Sequence, residues 1–208
     1  MKPAVFSMMR HHTTKNGWIR DARNVVYGRS KFQGADGQRS RLYTLSFTLM
    51  FEEDRDYVLV AMNLPYSYSR LMDFIRKEQA LQETRQSEVN MRLETIGYSL
   101  SNNAVPLILV EPKVVSEGPK RMIVVSARQH PGETWSSFLM EGVIKQLLNS
   151  CSESGEYLRK YFTFAIFPMI NVDGVIYGNF RCDISGVDLN RQWNDPCPTL
   201  HPQVHAIR

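Results

Sequence analysis

Cysteine is scarce in this chain: Cys151, Cys182 and Cys197 are its three, and none forms a CxxC pair. An odd, dispersed set supports neither a disulfide framework nor a cysteine-based zinc site. Long apolar runs are missing as well. Nothing approaches the roughly 18 consecutive apolar residues of a membrane span, and Met1 to Arg10 lacks the apolar core of a secretory signal. No internal repeat or low-complexity tract occurs. These absences lead to the expectation of a soluble, reducing compartment and of no membrane partner.

What is present suits a globular protein. The 208 residues are 43% hydrophobic and 11% aromatic, enough for one large domain or one domain with a partial neighbour. Charge is uneven. Residues 1–41 hold nine Lys/Arg against Asp21 and Asp36, whereas the rest of the chain carries 16 basic and 19 acidic groups. A basic leading segment can attract an acidic partner such as nucleic acid, anionic lipid or an acidic protein tail. Its plainer reading is a solvated stretch.

Residues 41–51 alternate, with Leu45, Phe47, Leu49 and Phe51 on one face and Thr44, Ser46 and Thr48 on the other. That is a half-buried strand. Glu52 to Asp56 reads as a turn and Tyr57 to Met62 as the hairpin partner, so residues 1–65 are expected to form part of a β domain. A helix follows over Arg70–Gln86, capped by Ser69, and opens a mixed α/β segment over residues 66–208. Its expected strands are Arg92–Ser99, Leu107–Glu111, Arg121–Ala127 and Phe162–Phe167. Its further helices are Thr134–Asn149, with Trp135, Phe138, Leu139, Val143 and Leu147 as the apolar face, and Glu156–Tyr161. Residues 168–198 hold six Pro and Gly with little periodicity and read mostly as loop, the kind of long connection that tends to carry function.

Chemistry concentrates at two places. His130-Pro131-Gly132-Glu133 falls on the turn between an expected strand and an expected helix. An imidazole and a carboxylate held on one turn can share a Zn²⁺ ion, which in catalytic sites takes three protein ligands and leaves one position open. Alone, such a pair is more often a plain surface turn. The second place is Gly186-Val187-Asp188-Leu189-Asn190-Arg191-Gln192-Trp193, preceded by Arg181. Arg181 can stabilise charge developing on a carbonyl oxygen. Arg191 can grip a carboxylate at two points, with the Asn190 amide adding a hydrogen bond. Asp188 can receive the second ring proton of a metal-bound histidine. Taken singly, the arginines read as surface ion pairs and Asp188 as a helix cap or Asx-turn.

His130 to Glu133, the run Phe167 to Cys182 and the block Gly186 to Trp193 together resemble the cytosolic carboxypeptidase branch of the zinc metallocarboxypeptidases. Tyr43 to Thr48 and Tyr57 to Tyr68, with the run Leu64 to Ser69, are similar to the end of the β-sandwich domain that precedes the catalytic domain in that branch. The resemblance extends over roughly residues 18 to 205. It implies part of an N-terminal β-sandwich followed by the N-terminal portion of a carboxypeptidase-type α/β domain with a mixed sheet. It further implies one zinc ion per complete catalytic domain, held by His130 and Glu133, with Arg181 polarising the scissile carbonyl. Asn190 and Arg191 would hold the substrate's terminal carboxylate, and Asp188 would be the partner of His130. Substrates of the branch are glutamates on acidic protein C-terminal tails, above all those of tubulin. The implied setting is cytoplasmic, microtubule- or cilium-associated, with no nucleic-acid partner.

Two departures stand out. Val172 replaces the proline of the family's Asn-Pro-Asp-Gly turn, which is expected to loosen that turn. The family's third zinc ligand, a later His, and its general base, a late Glu, have no counterpart. His201 and His205 read as packing residues on a short helix. The chain is therefore expected to be a fragment, incomplete at its C-terminus and inactive alone. Two other readings stand beside this one. The chain could be a non-catalytic module binding acidic tails through Arg181 and Arg191. It could also be a zinc deacylase of the aspartoacylase type, which shares the His-x-x-Glu and Asp-Leu-Asn-Arg elements, although the β-domain similarity and Gly178 to Cys182 argue against that.

Overall fold

The computed structural model describes residues 7–11, 18, 22–31, 42–50, 57–84, 89–112 and 121–208. The chain divides into two units, Met1–Pro65 and Tyr66–Arg208.

In the first unit, β1 (Ser7–His11) pairs antiparallel with β4 (Tyr57–Ala61), and β2 (Arg23–Arg29) pairs antiparallel with β3 (Tyr43–Thr48). Alternation along β3 is as the sequence implies: Leu45, Phe47 and Leu49 are half-buried while Thr44, Ser46 and Thr48 are exposed. Its partner is not. The expected hairpin to Tyr57–Met62 does not form: β3 pairs with β2, where Tyr27 stacks on Tyr43 with ring centroids 5.2 Å apart, and β4 pairs with β1. Phe51 and the expected turn Glu52–Asp56 lie outside the described residues.

The second unit is α/β. Helix α1 (Tyr68–Thr84) begins earlier than expected, because Ser67 rather than Ser69 accepts the Arg70 amide hydrogen at 3.1 Å. Gln86, its expected last residue, lies outside the described residues. Four strands follow, β5 (Val89–Tyr98), β6 (Ala104–Pro112), β7 (Arg121–Ser126) and β8 (Phe162–Phe167), ordered β5-β6-β8-β7. The sheet is mixed. Strand β6 is antiparallel to β5 and β8, while β7 and β8 run parallel, joined through α2 (Thr134–Leu148) and α3 (Glu153–Tyr161). A parallel pair needs such a crossover.

Both faces of the sheet carry packed elements, although Met122 and Val124 on edge strand β7 stay exposed. On one, Ile108, Val110, Phe164 and Ile166 pack with Leu71, Ile75, Met140 and Ile144 of the helices. On the other, Ala165 and Phe167 meet Ile170, Leu189 and Val204. Strand β8 is accordingly apolar at nearly every position. Helix α2 has the expected span but a rotated face. Ser137, Met140, Ile144, Leu147 and Leu148 are buried, whereas Trp135 is 56% and Leu139 71% exposed. Ser137 looks like an interruption of the apolar stripe, yet its hydroxyl accepts a hydrogen bond from buried Arg128. Helix α3 starts at Glu153, ahead of expectation, because Ser152 caps it by accepting the Gly155 amide hydrogen. The stretch read as loop also contains α4 (Val172–Tyr177) and a 3₁₀ turn (Leu189–Arg191), and α5 (Pro202–Ile207) closes the described chain.

Candidate metal centre

The site lies at the carboxyl ends of the parallel strands β7 and β8, where open α/β sheets bind ligands. Past β7, the Ala127 amide donates to the Phe167 carbonyl and the Ala127 carbonyl accepts from Ile170. The two strand ends thus leave the sheet side by side. The chain then turns through His130, Pro131 and Gly132 into Glu133, the residue before α2. This turn is gripped from both sides. The Gly132 amide donates to the Phe180 carbonyl at 2.7 Å, and a Cβ on Gly132 would lie 2.5 Å from the Phe180 ring. A Cβ on Gly174 would collide with the Pro131 ring. Glycine at both positions is therefore a packing requirement.

On that turn His130 is buried, its Nδ1 3.0 Å from Glu133 Oε1 and its Nε2 3.1 Å from Asp188 Oδ1. Asp188 also accepts from the Asn190 amide at 3.0 Å, which caps the 3₁₀ turn, and from Arg181 through Nε at 2.9 Å and Nη2 at 2.7 Å. The cap and the histidine contact, alternatives in the sequence, are both made by one carboxylate. Burial by itself pushes the Asp188 carboxyl upward, but the hydrogen bonds from Asn190, His130 and Arg181 and the Arg181 charge outweigh it and hold the group below its usual range. Arg191 is exposed, and its guanidinium contacts the carbonyl of Asn190, itself half-buried. The structure thus links His130, Glu133, Asp188 and Arg181 in one hydrogen-bonded chain and sets Asn190 and Arg191 on the turn that Asp188 caps.

The donor chemistry fits a zinc ion in part. A carboxylate oxygen and a ring nitrogen 3.0 Å apart can exchange their shared proton for a cation, so His130 and Glu133 suit two of its ligands. Among the described residues no group of three His, Cys, Asp or Glu could hold a metal ion. His201 is turned to another use, its Nδ1 accepting the Cys197 amide hydrogen at 3.2 Å, while His205 is exposed on α5.

The expected loosening at Val172 is absent. Val172 is wholly buried in the core, and Asn171 Oδ1 accepts the Gly174 amide hydrogen at 3.0 Å, closing the turn. Asp173, which the sequence did not mark, is buried and accepts from Ser99 Oγ, the Ser101 amide and Asn103 Nδ2, tying α4 to the β5–β6 connection. Arg128 was equally invisible. Burial lowers its guanidinium to about 10, against the opposing influence of Tyr66 and Glu133. Its position just past β7 was the one available signal.

A family model described as zinc carboxypeptidase matches residues 77–203. Cytosolic carboxypeptidase 1 of Gallus gallus is 33% identical across the whole chain, which covers 18% of that protein. Cytosolic carboxypeptidase 6 of Homo sapiens is 34% identical over 94% of the chain and 37% of its own length. A metallo-carboxypeptidase from Pseudomonas aeruginosa superposes with a TM-score of 0.71 at 25% identity, over 99% of this chain and 47% of that one. The chain therefore spans less than half the length of each of these relatives.

Proposed function

The chain belongs to the zinc carboxypeptidase family, and from that premise we propose that the full-length protein is a metallocarboxypeptidase of the cytosolic type. It removes glutamates from acidic C-terminal protein tails, tubulin's among them. It works in the cytoplasm, in association with microtubules or cilia. In this reading, residues 1–65 are part of a β-sandwich and residues 66–208 the N-terminal portion of the catalytic domain. Among the described residues no helix is long and apolar enough to cross a membrane.

What supports the reading is the histidine between two carboxylates. Asp188 on Nε2 orients the ring so that Nδ1 faces Glu133, the arrangement that a metal-ligating histidine needs. A zinc ion held by His130 and Glu133 supplies Lewis acidity and a water of lowered pKa. The remaining work falls to the chain's own groups. Asp188 keeps the His130 tautomer fixed. Arg181, anchored to Asp188 through Nε and Nη2, brings a permanent positive charge to the scissile carbonyl oxygen. Arg191 and Asn190 receive the substrate's free carboxylate, a two-point contact for which a guanidinium is shaped. In this reading the third zinc ligand and the general base belong to another part of the full-length protein, and residues 1–208 alone are expected not to hydrolyse peptides.

Metal analysis tests this directly. In the full-length protein, His130→Ala and Glu133→Ala should each lower zinc content together with glutamate release from a peptide ending in two glutamates. Full zinc occupancy in both variants would place the metal elsewhere. Chelator-sensitive glutamate release by residues 1–208 alone would overturn the assignment of the base to another part of the protein.

A further inference from the structure

Arg128 stands two residues before His130 and has no role in the scheme above. Its backbone lies at φ 54°, in the left-handed region that non-glycine residues avoid. Its side chain is nearly sealed, the residue being 3% exposed. A buried cation on an unfavourable backbone persists only where its surroundings over-determine it. The surroundings are specific. Nε and Nη2 both donate to the Pro131 carbonyl, at 3.1 and 2.6 Å. Nη1 donates to the Ser137 hydroxyl at 3.0 Å and to the Tyr66 carbonyl at 3.1 Å. Its own carbonyl accepts the Asn171 amide hydrogen at 3.0 Å.

These contacts have a direction. Pro131 sits between His130 and Glu133, Ser137 lies in the first turns of α2, and Tyr66 precedes α1. A rigid planar fork therefore fixes the middle of the His130–Glu133 turn against the helix that starts right after Glu133. We propose that Arg128 is a positioning residue for the metal pair, setting the separation and direction of His130 and Glu133 by clamping the Pro131 carbonyl. This rests on the reading of His130 and Glu133 as zinc ligands. Lysine would keep the charge but lacks the fork, since a single ammonium cannot span Pro131, Ser137 and Tyr66 in one plane.

The test compares wild type, Arg128→Lys and Ser137→Ala in the full-length protein. One readout is the His130 ring resonances by NMR without metal, and the other is zinc affinity by chelator competition, both after thermal melting has shown a folded sample. Arg128→Lys should shift or broaden the His130 ring signals and weaken zinc by at least about tenfold, the lower end of what groups supporting metal ligands contribute. Ser137→Ala, which removes one anchor, should shift both readouts in the same direction by less. A folded Arg128→Lys protein whose ring signals and zinc titration coincide with wild type overturns the proposal. Should that variant not fold, unchanged readouts in Ser137→Ala overturn it instead. Wild type that takes no zinc refutes the metal reading, and the ring signals alone then decide whether Arg128 clamps the turn.

Discussion

Replacing Gly132 with alanine tests the packing of the His130–Glu133 turn. The added Cβ would lie 2.5 Å from Phe180 Cδ2, 2.8 Å from Cε2 and 2.8 Å from the Phe180 carbonyl oxygen. The ring could swing aside, because Phe180 is largely exposed. The carbonyl could not move without giving up the hydrogen bond it accepts from the Gly132 amide at 2.7 Å. Overpacking of this kind costs about 1–3 kcal/mol, and a strained or lost hydrogen bond adds about 1 kcal/mol. For a unit of this size, the resulting loss of roughly 2–4 kcal/mol corresponds to about 10 °C in Tm. Calorimetry on wild type, Gly132→Ala, Phe180→Ala and the double variant measures it. Phe180→Ala alone should cost little, and in that background the Gly132→Ala penalty should shrink by about half, since the ring is gone and the carbonyl remains. Gly132→Ala melting within about 2 °C of wild type would refute the argument that the turn is locked to the Phe180 segment. Because Arg181 follows Phe180 directly, the same substitution should also disturb the Arg181–Asp188 ion pair.

Asp173→Ala strands the Ser99 hydroxyl, the Ser101 amide and the Asn103 side-chain amide around a buried position, and should cost about 3 kcal/mol in urea unfolding. Ser152→Ala removes the acceptor for the Gly155 amide hydrogen at the start of α3; about 1 kcal/mol should be lost, without effect on zinc affinity. In the full-length protein, Arg191→Ala should weaken binding of a peptide with a free C-terminus by about 10- to 150-fold and leave binding of its C-terminal amide nearly unchanged. Equal discrimination between the two peptides by wild type and variant would remove Arg191 from the carboxylate site.

Local pattern and motif spacing determined much of this protein before any coordinates. Strand β8 runs from Phe162 to Phe167 as its apolar block implies, and α2 begins at Thr134 as its periodicity requires. Between them the placement of His130 and Glu133 on a strand-to-helix turn needed only the punctuation of Pro131 and Gly132. Such features are encoded within a few residues, where propensity and periodicity act. Tertiary structure decided what depends on partners distant in sequence. The pairing of β3 with β2, and of β1 with β4, joins strands well separated in sequence, which no local pattern specifies. Which stripe of α2 is buried turned on Ser137, a polar residue that belongs inside only because Arg128 reaches it. Asp188 offered two alternatives in the sequence, cap or histidine partner, and became both once folding brought a residue 58 positions away to its Oδ1. A charge such as Arg128 reads as surface until the fold supplies three residues, Tyr66, Pro131 and Ser137, whose oxygen atoms replace its water.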